Sequence, residues 1–111
     1  MIHKMNLRHT PFEKIKGRTK TIEMRLYDEK RSAIAIGDSI VFADISTGEE
    51  IRCTVTNLYR YSDFVNLYEH HNKLALGYAP DERACASDML QYYSEEKIAQ
   101  YGVIGIEICV I

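Results

Sequence analysis

The sequence contains no tryptophan, only two prolines and only three cysteines in 111 residues. It also lacks several patterns that would settle a function quickly. No apolar run approaches the roughly 20 residues that a membrane-spanning helix needs. The first residues, Met1 to Asn6, hold no apolar core of a secretory signal. The cysteines, Cys53, Cys85 and Cys109, have no paired spacing. An odd count with no signal segment predicts reduced thiols in a cytoplasmic protein, each a small buried apolar residue. There is no Cys-x-x-Cys and no His-x-x-x-His, and adjacent His70 and His71 would point apart on a helix, so no metal site is expected. A Walker loop and a serine nucleophile elbow are both missing. Linkers, repeats and low-complexity tracts are missing too, which leaves one domain over 1–111.

Charge is uneven rather than strong. The net charge is -2, yet residues 1–31 hold nine Lys/Arg against four Asp/Glu, and residues 32–111 hold five against twelve. That balance is too mild for non-specific DNA binding. A basic N-terminal third on one face can hold a phosphate, or the two halves can neutralise each other across the fold.

The most charged element is Lys14–Leu26, which reads as a helix end, a turn at Gly17 and a strand over Lys20–Leu26. Thr21, Glu23 and Arg25 alternate with Ile22, Met24 and Leu26. Same-face neighbours on a strand stand about 6–7 Å apart, so Glu23 and Arg25 can act on one small ligand. Lys20 precedes them at the turn, and Lys14, Lys16 and Arg18 surround it. This cluster is either an anion-contacting site or a solvated set of ion pairs worth little individually.

Along the chain, Ile2–Leu7 reads as a strand. Thr10-Pro11 with Glu13 then predicts a capped helix start. A charged link over 27–31 and a short extended piece over 33–36 follow. Ser39–Ala43 and Glu50–Asn57, joined by a loop over 44–49, predict a hairpin. Ser62 is a candidate cap for a helix carrying Phe64, Val65, Leu67 and Tyr68. Pro80 is expected to open a helix reaching about Tyr93, with Cys85 and Leu90 inside. Ser94 caps another over Glu95–Tyr101, and Gly102 ends it. Val103–Ile111 is almost wholly apolar, which predicts a strand covered on both faces. Eight tyrosines gather mostly in the second half, as half-buried packing or as stacking surfaces for a base. The order of elements predicts an α+β fold, a small mixed β-barrel with short helices at its rim.

The chain resembles the ASCH family, small PUA-like β-barrel domains with the signature Gly-x-Lys-x-x-Glu-x-Arg. Lys20-Thr21-Ile22-Glu23-Met24-Arg25 carries its second part, with Arg18 where the signature has glycine. Pro11-Phe12, Gly37-Asp38 before the Ile40–Phe42 strand, and Tyr101-Gly102-Val103 extend the resemblance along the chain, as in a small stand-alone bacterial-type member. The resemblance implies binding of RNA, a nucleotide or a modified nucleoside, with Lys16, Arg18, Lys20, Glu23 and Arg25 as ligand contacts and no cofactor. A related bacterial branch hydrolyses the acetyl amide of N4-acetylcytidine. By that likeness Lys20 would be a base, Glu23 would stand where the branch has its threonine nucleophile and activate water, and Glu69 would take the role of a distant glutamate. A structural or protein-interaction domain is the third alternative. No membrane partner is expected, and the oligomeric state is open.

Overall fold

The computed structural model describes residues 1–111. The elements run β1 (Ile2–Leu7), α1 (His9–Lys16), β2 (Ile22–Leu26), α2 (Glu29–Ser32), β3 (Ser39–Asp44), β4 (Glu50–Tyr61), α3 (Phe64–His70), a 3₁₀ turn (Ala86–Gln91), α4 (Glu95–Tyr101) and β5 (Val103–Val110). The five strands form one curled, half-barrel sheet in the order β1-β3-β4-β5-β2. β1 and β3 pair in parallel and the other three contacts are antiparallel. Short helices lie at the periphery, the α+β architecture expected from the order of elements. No helix is long and apolar enough to cross a membrane.

Two apolar clusters hold the sheet. Phe12 and Ile15 of α1 join Met5, Leu7, Ile40, Phe42, Val55, Ile104, Ile106 and Ile108. On the other side Ile22, Met24 and Leu26 of β2 meet Phe64, Leu67, Leu76, Met89 and Val103. β5 contributes to both clusters, which is why its apolar pattern does not alternate. Each fully buried side chain of this size contributes about 1.5–3 kcal/mol relative to exposure.

Several local expectations are corrected. The helix α1 begins at His9, so Arg8 and not Thr10 is its N-cap, and no side chain caps it. Pro11 is still tolerated, because the first four N–H groups of a helix have no acceptor within it. Asp63 caps α3 in place of Ser62, accepting from the Asn66 N–H. The piece at 33–36 is a turn, and the charged link before it folds as α2. β4 continues past Asn57 to Tyr61, after a bulge between Val55 and Asn57. Tyr59, Arg60 and Tyr61 pair with Gly105, Ile104 and Val103 of β5, an available partner that the sequence pattern did not reveal. The helix expected from Pro80 is absent up to the 3₁₀ turn. Its backbone is used otherwise: Lys73 Nζ donates to the carbonyls of Pro80 and Glu82, and the Glu82 carboxylate accepts from the Ala79 N–H. In consequence Cys85 and Leu90 are exposed, as is Cys109 on β5, and only Cys53 is a buried thiol. Burial pushes the Cys53 thiol up to about 11.

Candidate functional site

The turn between α1 and β2 sets the geometry of the charged residues. After α1 the chain wraps around one carbonyl, with the Thr19 and Lys20 N–H groups both donating to Lys14 O. The left-handed residue in this turn is Arg18, at φ 67°, while Gly17 stays right-handed. Arg18, at the position where the signature has glycine, thus takes the left-handed conformation that glycine adopts most cheaply. The Thr21 and Ile22 N–H groups then both donate to Ala75 O, which anchors the strand start to the loop after α3.

Lys20 lies before the regular strand, so alternation does not bind it. Its Nζ stands 3.0 Å from Glu23 Oε1, and Arg25 Nε stands 2.7 Å from Glu23 Oε2. Glu23 is only 4% exposed and Lys20 8%. Glu23 and Arg25 pair with Ile106 and Ile104 of β5, so a carboxylate and a guanidinium occupy positions on the sheet that would otherwise be apolar core. Burial alone would raise the Glu23 carboxyl, but the Lys20 and Arg25 charges and hydrogen bonds bring it below the ordinary carboxylate range. Arg25 Nη2 also donates to Asn6 O at 2.9 Å, which links β2 to β1, the two edge strands of the curled sheet.

This charged group lies on a cavity of about 470 Å³, within the usual range for small-molecule sites. Lys14 closes one side, donating to Gly77 O at 2.6 Å and lying 3.6 Å from Glu82. Gly77 has φ 107°, and a Cβ there would come 3.0 Å from Lys20 Cδ, so the loop can lie against the Lys20 stem only with glycine at this position. Tyr68, Tyr78, Tyr92 and Tyr93 make an aromatic wall. The Tyr78 hydroxyl is 2.8 Å from that of Tyr68 and 2.7 Å from Asp88 Oδ2. The Arg8 guanidinium lies over the Tyr92 ring, and the rings of Tyr93 and Phe64 stack. Charged residues on the cavity are Arg8, Lys14, Lys20 and Arg25 against Glu23, Glu82 and Asp88, which makes it a mixed-charge pocket and not a basic groove.

Of the residues singled out from sequence, Lys20, Glu23 and Arg25 come together here. Lys16 instead pairs with Glu49 at 2.7 Å, and Arg18 reaches Val110 O at 3.4 Å; neither lines the cavity. Glu69 is exposed on α3 and is also not on it. The sequence reading missed Glu82, Asp88 and the pairing of Tyr68 with Tyr78. The abundance of tyrosine in the second half was the available signal, but the helix expected over 80–93 would have dispersed these residues.

The rings of His70 and His71 both pack on Tyr61, and His71 lies past the end of α3. His70 Nδ1 meets Asn66 O, whereas His71 Nε2 meets the Tyr61 hydroxyl. His9, Glu13 and Asp44 form the one cluster with metal-ligand atoms close together. Two of its members are already joined, His9 Nδ1 to Asp44 Oδ2 at 2.6 Å, and Ser46 donates twice to the other Asp44 oxygen. Burial would raise Asp44, but the hydrogen bonds from Ser46 and His9 hold it well below the usual carboxylate range.

The ASCH domain family model matches residues 5–111. The crystal structure of the hypothetical protein PH0355 is similar over all of both chains, with 34% identity and a TM-score of 0.87. The solution NMR structure of protein PF0455 from Pyrococcus furiosus, an archaeal relative, is 35% identical over all of this chain and 98% of that one, with a TM-score of 0.74. No curated protein matches the chain.

Proposed function

The chain belongs to the ASCH domain family, with its PUA-like architecture, and from that premise we propose that the cleft beside β2 binds a nucleoside or nucleotide. One observation carries the reading: a buried Glu23 held by both Lys20 and Arg25 on a tyrosine-lined cavity of nucleoside size. Two cations and one carboxylate leave a net positive group, which attracts a carbonyl or phosphate oxygen. The tyrosine rings offer faces on which a base can stack, a contact worth about 1–3 kcal/mol per base. The near balance of charges on the rest of the cavity favours one small ligand, or one unstacked nucleotide of an RNA, over a long polyanion.

The amide-hydrolysis alternative has less support. A carboxylate below its ordinary range is a weak proton acceptor near neutral pH, and both Glu23 oxygens already face cations. Glu69, the expected third member, lies elsewhere.

The test is a titration of free nucleosides, an acetylated nucleoside, nucleoside monophosphates and short single-stranded RNAs against the wild type and Lys20→Ala, with product analysis for the acetylated compound. Saturable binding that Lys20→Ala weakens at least roughly tenfold is expected, as for loss of a charge-assisted hydrogen bond. Absence of saturable binding to every compound overturns the proposal. Release of acetate by the wild type would replace binding with hydrolysis.

A further inference from the structure

The hydroxyl chain on the tyrosine wall has a defined direction. Tyr78 has one hydroxyl proton, and its oxygen stands 2.7 Å from Asp88 Oδ2 and 3.3 Å from the Cys85 carbonyl oxygen. Both are acceptors only, for a carboxylate at neutral pH and a backbone carbonyl. The Tyr78 proton is therefore committed to them. In the 2.8 Å contact between Tyr78 and Tyr68, Tyr68 must then be the donor. No other group hydrogen-bonds the Tyr68 hydroxyl, so what it has left to offer is a lone pair. The floor has the opposite character. Lys20 and Arg25 carry donors only, and the Lys20 ammonium has three N–H bonds with one protein partner, Glu23. Tyr68, Tyr78, Lys20 and Arg25 all line the one cavity.

We propose that Tyr78 and Asp88 polarise the cleft into a donor floor and an acceptor wall, and so select an amino-bearing nucleobase. Such a base places a carbonyl oxygen or ring nitrogen toward Lys20 and Arg25 and an amino N–H toward Tyr68. A group of the same size that only accepts would leave the Tyr68 lone pair and its own facing each other. Tyr78 acts here as a positioning residue, because its role is to take the Tyr68 proton. This inference rests on the nucleoside reading of the cleft.

Two matched pairs test it: cytidine against the riboside of 4-methoxypyrimidin-2-one, and adenosine against 6-methoxypurine riboside. In each pair a methoxy group replaces the amino group, so a donor becomes an acceptor, and the N-methylated amino nucleosides, which match methoxy in size and keep one N–H, control for the added methyl. Affinities are measured by calorimetry at neutral pH for the wild type, Tyr78→Phe and Tyr68→Phe, with thermal melts to check folding. The wild type is expected to favour the amino member of at least one pair by roughly tenfold or more, the usual cost of facing two unsatisfied acceptors. Tyr78→Phe frees the Tyr68 proton, so binding of the methoxy member should improve and the ratio fall at least about fivefold. Such a gain cannot come from a damaged fold. Tyr68→Phe should weaken the amino member and leave the methoxy member no better. A wild-type ratio near one, or a ratio unchanged by Tyr78→Phe, overturns this inference and leaves the nucleoside reading standing. If none of the four compounds binds the wild type this inference falls, and the reading of the cleft falls with it only when the monophosphates and short RNAs also fail to bind.

Discussion

At the scale of the residue, Glu23 decides most. Its carboxylate is buried and each oxygen faces a cation, so removing the charge leaves Lys20 and Arg25 largely buried without their counter-ion. Breaking a buried pair by taking away one partner costs about 3–5 kcal/mol. Glu23→Gln is therefore expected to lower unfolding stability by about that amount, seen as a shift of the urea midpoint with an unchanged slope. The same residue shapes the pH profile. Glu23, Asp38 and Asp44 all have folded values below their unfolded ones, near 4.5 for Glu23 and 3.8 for the two aspartates. Their stabilisation is complete above those values and is lost as pH falls. For Asp38, which accepts from the His3 ring and the Ala35 N–H, the loss runs down to about 2. His9 has the opposite sign. Its hydrogen bond to Asp44 raises it above 6.5, so its contribution is complete below that value and is lost as pH rises through the folded value. Burial lowers His71, so its penalty is relieved as pH rises toward 6.5, and thermal melts across pH should then peak near pH 6.5, with His9→Ala flattening the alkaline side of the peak.

At the scale of the element, the turns around β2 carry the specificity of the fold. Arg18 holds a left-handed conformation, which costs a residue with a Cβ about 1–2 kcal/mol. Glycine removes that cost but adds freedom to the unfolded chain, worth about 0.5–1 kcal/mol. Arg18→Gly is expected to be neutral to about 1 kcal/mol stabilising by denaturant melt. Gly77→Ala should act in the other direction. Its positive φ and the 3.0 Å approach to Lys20 Cδ force either the loop or the lysine to move. A loss of at least about 1 kcal/mol is expected, together with weaker ligand binding in the same titrations that test Lys20→Ala.

The elements also show what the sequence made legible. The strands with clean alternation, the hairpin, the α4 boundaries at Ser94 and Gly102 and the two-sided burial of β5 were all readable from residue pattern. So was the Lys20, Glu23 and Arg25 group, because three charges on a strand start have no place in an ordinary core. What could not be read depends on partners distant in sequence. The two extra residues at the start of α1 are held where His9 finds Asp44. The length of β4 depends on β5, and the irregular path of 72–85 depends on Lys73, Lys14 and Glu82 reaching backbone or one another. The Tyr68–Tyr78–Asp88 chain comes into being only with that path.

At the scale of the whole molecule, the site lies where the curled sheet fails to close. β1 and β2 are its two edges, and between them runs no ladder but the single reach of Arg25 to Asn6 O. The loop after α3, the 3₁₀ turn and α1 cover that opening, and the cavity is the space they leave. Its charged lining, Lys20, Glu23 and Arg25, belongs to neither apolar cluster, whereas Leu7, Met24, Leu76 and Met89 belong to both the lining and the core, so only the polar part of the seam can be substituted without touching the core.

The pairing of β2 has a further consequence for the order of assembly. Residues 22–26 form a backbone ladder with no strand except 103–107, about 80 residues further along. During synthesis β2 leaves the ribosome long before β5 exists, so the segment carrying Lys20, Glu23 and Arg25 has no ladder partner until then. Closing so long a loop is slow and comes after the local hairpin has formed. The Lys20, Glu23 and Arg25 group is encoded early in this domain, and the domain's fifth strand completes its surroundings.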